Sequence, residues 1–105
     1  MARKLIAVTA CATGVAHTYM AQKALIQAAK KMGVLIKVET QGATGIGHKL
    51  TQKDVQIGEA VIFATDTKVR DKERFNGKKT LEVGVSEPIQ DAKKVIEDAL
   101  SLADK

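Results

Sequence analysis

The chain has 105 residues, of which 45% are hydrophobic and 28% charged, and it carries a net charge of +5. This composition excludes a disordered protein, and the length predicts one domain over residues 1–105. The single cysteine excludes an intramolecular disulfide and an all-cysteine zinc site, and no apolar run approaches the roughly 18 residues of a membrane span.

The positive charge does not by itself indicate nucleic-acid binding. The only aromatic residues are Tyr19, Phe63 and Phe75, too few for a platform on which bases stack, and the lysines are spread from end to end. Three explanations of the positive charge remain open: a solvated basic surface, docking to an acidic protein, and proximity to an anionic membrane. No signal peptide is apparent, and a single thiol stays reduced in the cytosol, so we expect a cytosolic protein.

The first third of the chain predicts a strand followed by a helix. Residues 4–9, "KLIAVT", form a short apolar run typical of a strand buried on both faces. Residues 17–32 predict a helix that ends at Gly33. Its apolar stripe consists of Ala21, Leu25, Ala28 and Met32.

The middle of the chain predicts two further strands, residues 34–40 and 59–65, separated by a loop and a short helix. The glycine-rich residues 41–49, "QGATGIGHK", are expected to form either a flexible loop beside the end of the second strand or a plain turn whose glycines need positive φ. They fail the nucleotide-binding P-loop pattern because His48 stands where a lysine is required. Residues 51–58 predict one or two helical turns, with Thr51 as the N-cap and Asp54 at the third position.

The last third predicts a charged surface segment, a strand and a helix. Residues 68–79 are expected to be solvated, with a turn at Asn76-Gly77 and with Phe75 anchored in the core. Residues 80–85 predict the fourth strand. Ser86 and Pro88 open the last helix, whose apolar face contains Ile89, Ala92, Ile96, Ala99 and Ala103.

This alternation of strands and helices predicts an α/β fold. We expect a three-layer doubly wound domain with helices on both faces of a four-stranded parallel sheet, in the order 2-1-3-4. In such a sheet, ligands bind at the carboxyl ends of the strands.

The only cysteine, Cys11, falls at this edge, directly after the first strand. It is followed by Ala12, Thr13, Gly14, Val15 and Ala16, with His17 and Thr18 at the start of the first helix. Small residues let several backbone N–H groups point at one spot, and unpaired N–H groups at a helix start attract anions. The same field stabilises a nucleophilic thiolate. A small buried core cysteine is the alternative.

The loop also resembles the C-x5-R loop of cysteine phosphatases, but His17 stands where the arginine would be. A phosphatase uses that guanidinium to hold the phosphoryl oxygens in the transition state. The difference favours a protein that accepts and passes on a phosphoryl group.

Residues 9–25, "TACATGVAHTYMAQKAL", resemble the active-site segment of fructose-type enzyme IIB domains of the bacterial phosphoenolpyruvate-dependent sugar phosphotransferase system. The resemblance continues in "IKVETQG" at residues 36–42, in "ATD" at 64–66 and in "RFNGK" at 74–78. Ala12 departs from the family's usual proline, which would stiffen the loop and remove an N–H donor.

The resemblance implies a phosphocarrier. Cys11 would take a phosphoryl group from a phosphohistidine of a IIA partner and pass it to a sugar on a membrane IIC partner. That sugar would be fructose, a fructose-like sugar or a mannose-type substrate. Residues 12–18 would cradle the phosphate. The chain would then work in the cytoplasm at the inner face of the membrane, with no cofactor and no metal, since His17 and His48 lack further ligands.

Two questions stay open at this stage. His17 either donates a hydrogen bond to the thiolate or the phosphate, or caps and packs at the helix start. The alternatives to a phosphocarrier are a low-activity cysteine phosphatase and a non-catalytic regulatory module. Asp66 is expected to accept backbone N–H groups of a neighbouring loop rather than act in catalysis.

Overall fold

The computed structural model describes residues 3–11, 16–42 and 45–105, and in this part every predicted helix and strand is found within two residues of its expected bounds. A short 3-10 helix, Lys72–Phe75, precedes the last strand. The strands are β1 (Lys4–Ala10), β2 (Leu35–Gly42), β3 (Gly45–Gly47), β4 (Val61–Thr65) and β5 (Thr80–Val83), and the helices are α1 (Ala16–Met32), α2 (Gln52–Ile57) and α3 (Ser86–Ala103). Helix α3 is kinked at Asp91, whose φ of −154° and ψ of 77° are not helical.

The strands form one sheet in the order β3-β2-β1-β4-β5. Strands β2, β1, β4 and β5 are parallel and follow the predicted order, which confirms the α/β fold. The fifth strand corrects the prediction of a four-stranded sheet: β3 pairs antiparallel with the end of β2. At the carboxyl edge, Ala10 of β1 lies opposite Gln41 on one side and Thr65 on the other.

Strand β3 forms because glycines let the chain fold back tightly on β2. A Cβ at Gly47 would lie 2.6 Å from the Thr40 Oγ1, and Gly45 has a φ of +123°, which disfavours other residues. The prediction of a flexible loop is therefore wrong for residues 45–47, whereas Ala43 and Thr44 lie outside the described residues.

Two layers cover the sheet. Helices α1 and α3 pack on one face, where Leu25 and Ile96 are fully buried, and α2 and the 3-10 helix cover the other. The α1 stripe is centred slightly differently from the prediction, because Ala28 and Met32 are only partly buried. The buried residues of α1 are Thr18, Ala21, Leu25 and Ala29.

Helix α2 is fixed by the predicted cap. The Thr51 Oγ1 accepts from the Asp54 N–H, and the Asp54 carboxylate accepts from the Thr51 N–H, so the two form a capping box. The Thr51 N–H, and next the Lys37 ammonium, lower the pKa of Asp54 to about 2. This cap ties α2 to β2, because Lys37 Nζ lies 2.9 Å from Asp54 Oδ1.

The charged segment 68–79 is mostly exposed, and Gly77 takes the positive φ that the predicted turn requires. The prediction that Phe75 anchors the segment is confirmed, since its ring packs edge-to-face on Phe63 with centroids 5.2 Å apart. The prediction of a purely solvated segment is wrong at Arg74, which is partly buried against Glu39.

Candidate functional site

Cys11 follows β1 at the carboxyl edge of the sheet, between the ends of β2 and β4. Its exposed fraction is 7%, so the side chain is largely enclosed. The Asp66 N–H donates to the Ala10 carbonyl over 3.0 Å and extends the pairing of β4 with β1 up to Cys11. The residue therefore lies where parallel α/β sheets bind ligands.

The predicted phosphate cradle is only partly described. Ala12, Thr13, Gly14 and Val15 lie outside the described residues, and α1 begins at Ala16. Ala16 and His17 are exposed, whereas Thr18 is 2% exposed. The first N–H groups of a helix have no partner within the helix, so the start of α1 is suited to an anion.

Thr18 is buried in the first turn of α1. The Thr9 Oγ1 donates to the Thr18 carbonyl over 3.1 Å, which ties the first turn of α1 to β1 two residues before Cys11. The Thr18 hydroxyl itself is buried and has no hydrogen-bond partner among residues 3–11, 16–42 and 45–105. Such a hydroxyl costs about 1–3 kcal/mol unless a water molecule, a residue outside these ranges or a ligand satisfies it.

Asp66 plays the predicted structural role. Its Oδ1 accepts from the Val85 N–H over 3.2 Å, which joins the loop after β4 to the start of α3. This bond confirms the expected acceptance of a backbone N–H by Asp66.

A buried ion pair near the site was missed by sequence reasoning. Glu39 on β2 is fully buried, and its carboxylate accepts from Arg74 Nη1 and Nη2 over 2.8 and 2.9 Å. Gln41 Nε2 and the Leu50 N–H donate to the same carboxylate. Burial opposes the charged form, but the bonds from Arg74, then Gln41 and Leu50, hold the pKa of Glu39 below its usual range.

Gln41 extends this network to the segment after β4. Its Oε1 accepts from the Arg70 N–H over 2.7 Å, and its Nε2 donates to the Arg70 carbonyl over 3.1 Å. The segment from Asp66 to Arg74 is therefore hydrogen-bonded to β1 at Ala10 and to β2 through the side chains of Glu39 and Gln41. The sequence did contain one signal of this buried network. A glutamate is followed two residues later by a glutamine in a buried strand, and side chains at that spacing point to the same face of the sheet.

The two histidines differ in their surroundings. His17 lies in the first turn of α1, whereas His48 follows β3 with a φ of 53° and its Nδ1 lies 3.4 Å from Gln22 Nε2. The described ranges contain no group of three or more His, Cys, Asp or Glu side chains that could hold a metal ion. No helix within these ranges is long and apolar enough to cross a membrane.

Comparison with known proteins identifies a family. A family model described as "PTS system, Lactose/Cellobiose specific IIB subunit" matches residues 6–98. A fructose-specific EIIABC component of Bacillus subtilis is 49% identical over 93% of this chain, although the chain spans only 15% of the length of that relative. A fructose-like EIIB component 2 of Escherichia coli is 48% identical, with 85% of this chain and 84% of the relative covered.

A solved structure has the same fold. It is a domain of the fructose-specific IIABC component of Borrelia burgdorferi, which is 40% identical with a TM-score of 0.90 and covers 96% of each chain.

Proposed function

This chain belongs to the IIB family of the sugar phosphotransferase system, whose members are phosphotransferases, and we propose that it carries phosphoryl groups on Cys11. The observation that carries the proposal is the buried Thr18 hydroxyl, which has no partner among the described residues and lies in the first helical turn after the Cys11 loop. A phosphoryl oxygen would satisfy this hydroxyl, and the helix dipole would favour its negative charge.

The proposed chemistry consists of two displacements at phosphorus. The Cys11 thiolate attacks the phosphorus of a phosphohistidine on the IIA partner, forming an S–P bond as the N–P bond breaks, and the released imidazole takes up a proton. A sugar hydroxyl then attacks the same phosphorus, forming an O–P bond as the S–P bond breaks. The hydroxyl proton passes to a base, and the thiolate is restored.

The residues after Cys11 are proposed to hold the transferred group. Backbone N–H groups of residues 12–16 would bind the phosphoryl oxygens, with the hydroxyls of Thr13 and Thr18 as further donors. Exposed His17 is proposed as a donor at the rim of the site, with capping of the helix start as its alternative role. The absence of an arginine at position 17 favours a bound phosphoryl group that persists until an acceptor arrives.

The proposed partners are a phosphorylated IIA protein as donor and a membrane IIC protein with its bound sugar as acceptor. We propose that the chain acts in the cytoplasm and meets the membrane only through IIC. The family model is described by lactose and cellobiose, whereas the two relatives described above are named for fructose and for a fructose-like system. We therefore propose fructose or a fructose-like sugar.

Incubation with a phosphorylated IIA protein tests the proposal. We expect wild-type protein to gain the mass of one phosphoryl group on the peptide that contains Cys11, and to lose it when a IIC membrane fraction and fructose are added. Rapid release of inorganic phosphate without IIC would identify a phosphatase instead. Failure to gain the group from a donor that labels a known IIB protein would identify a non-catalytic module.

Thr18→Val is expected to separate the binding role of the hydroxyl from its structural role. The change removes a buried hydroxyl that has no partner within the described ranges, so the free energy of unfolding should stay equal or rise slightly. Phosphoryl uptake should nevertheless slow roughly 10- to 100-fold, the loss of one hydrogen bond to a charged group. Stopped-flow labelling and thermal melting measure the two effects.

Thr67→Val is the matched control for this prediction, because Thr67 is exposed and lies in the loop after β4. It should change neither rate nor stability. If Thr18→Val destabilises the protein and leaves the rate of uptake intact, Thr18 is only a packing residue.

A further inference from the structure

The outer edge of β2 is open along half of its length. Strand β2 pairs with β1 over residues 35–41, but on its other side it pairs with β3 only from Thr40 to Gly42. His48 then turns the chain with a φ of 53°, and within the described ranges no strand covers the edge before Thr40. Natural proteins usually protect such an edge, because it can pair with another chain.

The backbone of this edge points outward at Ile36 and Val38. The Leu35 N–H donates to the Arg3 carbonyl on the β1 side, and alternate residues of a strand turn their backbone groups to opposite sides. The Val38 carbonyl accepts from Gln22 Nε2 over 3.3 Å, as its outward direction requires. The N–H and carbonyl of Ile36 and the N–H of Val38 therefore face away from β1, with no strand beside them in the described part of the chain.

Exposed apolar side chains flank this edge on both faces of the sheet. Ile26 on α1 is 43% exposed, and Leu35 and Ile57 on the α2 face are 54% and 44% exposed. Grooves run along each side: Ile26 and Ile36 line one, and Leu35 and Ile57 line the other. An added strand would place alternate side chains into these two grooves.

The charge of the two grooves indicates which kind of partner binds at this edge. Four lysines line the two grooves, Lys4, Lys37, Lys49 and Lys53, whereas the only carboxylate among their lining residues is Asp54. Lys37 pairs with Asp54 and Lys49 with Asp71, so Lys4 and Lys53 supply the excess positive charge. Pairing with a second copy would bring like charges together, and a lipid surface would leave the outward carbonyl of Ile36 without a donor. We propose that the outer edge of β2 binds an acidic, extended segment of a partner protein as an added strand.

This proposal does not depend on phosphoryl transfer by Cys11. The test is titration of isotope-labelled protein with a seven-residue peptide that alternates glutamate and valine, followed by amide NMR. We expect shifts of the Ile36 and Val38 amide resonances, and no such shifts with a peptide that alternates lysine and valine. Absence of shifts at these amides up to millimolar peptide would overturn the proposal.

Lys53→Glu supplies the matched variant, because its side chain lines the groove and makes no ion pair with any described residue. It should weaken binding of the acidic peptide roughly three- to tenfold at low salt, whereas Lys93→Glu on the exposed side of α3 should have no effect. Equal weakening by both variants would mean attraction to net charge only and would overturn a specific site. Shifts of the Ile36 and Val38 amides that grow with protein concentration alone would indicate pairing with a second copy and would overturn the proposal. Shifts that appear only with phosphatidylglycerol vesicles would indicate a lipid surface and would overturn it as well.

Discussion

Cys11→Ser is expected to reduce phosphoryl uptake from the phosphorylated donor to below roughly 10⁻³ of the wild-type rate, on the scale that follows removal of a covalent nucleophile. The thiolate is the nucleophile, and a serine hydroxyl ionises far less readily than a thiol. An oxygen ester that did form would also be a poor donor to the sugar, so the onward step should fail as well. Uptake is measured as phosphorylated protein by mass spectrometry at successive times.

The substitution should leave the fold intact, because serine is nearly the size of cysteine and Cys11 lies at the edge of the sheet. An unchanged melting temperature is the control that ties the lost uptake to chemistry. Uptake at the wild-type rate by Cys11→Ser would place the phosphoryl group elsewhere. Exposed His17 and His48 would then be the residues to replace next.

The sequence predicted those features that depend on neighbouring residues. Alternation of apolar runs with helical stripes predicted the four parallel strands and three helices, and the capping box at Thr51 could be identified because its two members are three residues apart. The position of Cys11 at the carboxyl edge follows from the same alternation. The roles of Ala12 to Val15 remain predictions, since these residues lie outside the described ranges.

The features that sequence reasoning missed depend on contacts between distant residues. Glu39 and Arg74 are 35 positions apart, and only the folded sheet brings them together. In the sequence, Arg74 belongs to a run of surface charges and Glu39 to a strand with no visible partner. Strand β3 was missed for a related reason, because glycine suits both a flexible loop and the close approach at Gly47.

Arg74→Met is expected to lower the free energy of unfolding by about 3–5 kcal/mol at neutral pH, because it leaves the fully buried Glu39 carboxylate without its bidentate partner. Methionine retains most of the apolar stem, so the loss should arise from the charge rather than from a cavity. Arg70→Met is the matched control, since the Arg70 side chain is exposed and only its backbone bonds to Gln41. It should change stability by less than about 0.5 kcal/mol.

The pH dependence shows whether an unpaired charge causes this loss. In the wild type the pKa of Glu39 is lower in the folded than in the unfolded state, where it is about 4.3. The ion pair therefore stabilises the fold above about pH 4.3, and this stabilisation is lost as the pH falls through the pKa of the folded state. In Arg74→Met, burial should raise the pKa of Glu39 and reverse the sign: the variant gains stability as pH falls, because protonation removes the buried charge. The stability difference between the two proteins should therefore narrow between pH 7 and pH 4 in urea titrations. Adding Glu39→Gln to Arg74→Met should recover most of the lost free energy of unfolding at neutral pH. If the stability difference between wild type and Arg74→Met is instead constant with pH, the loss comes from packing of the Arg74 stem.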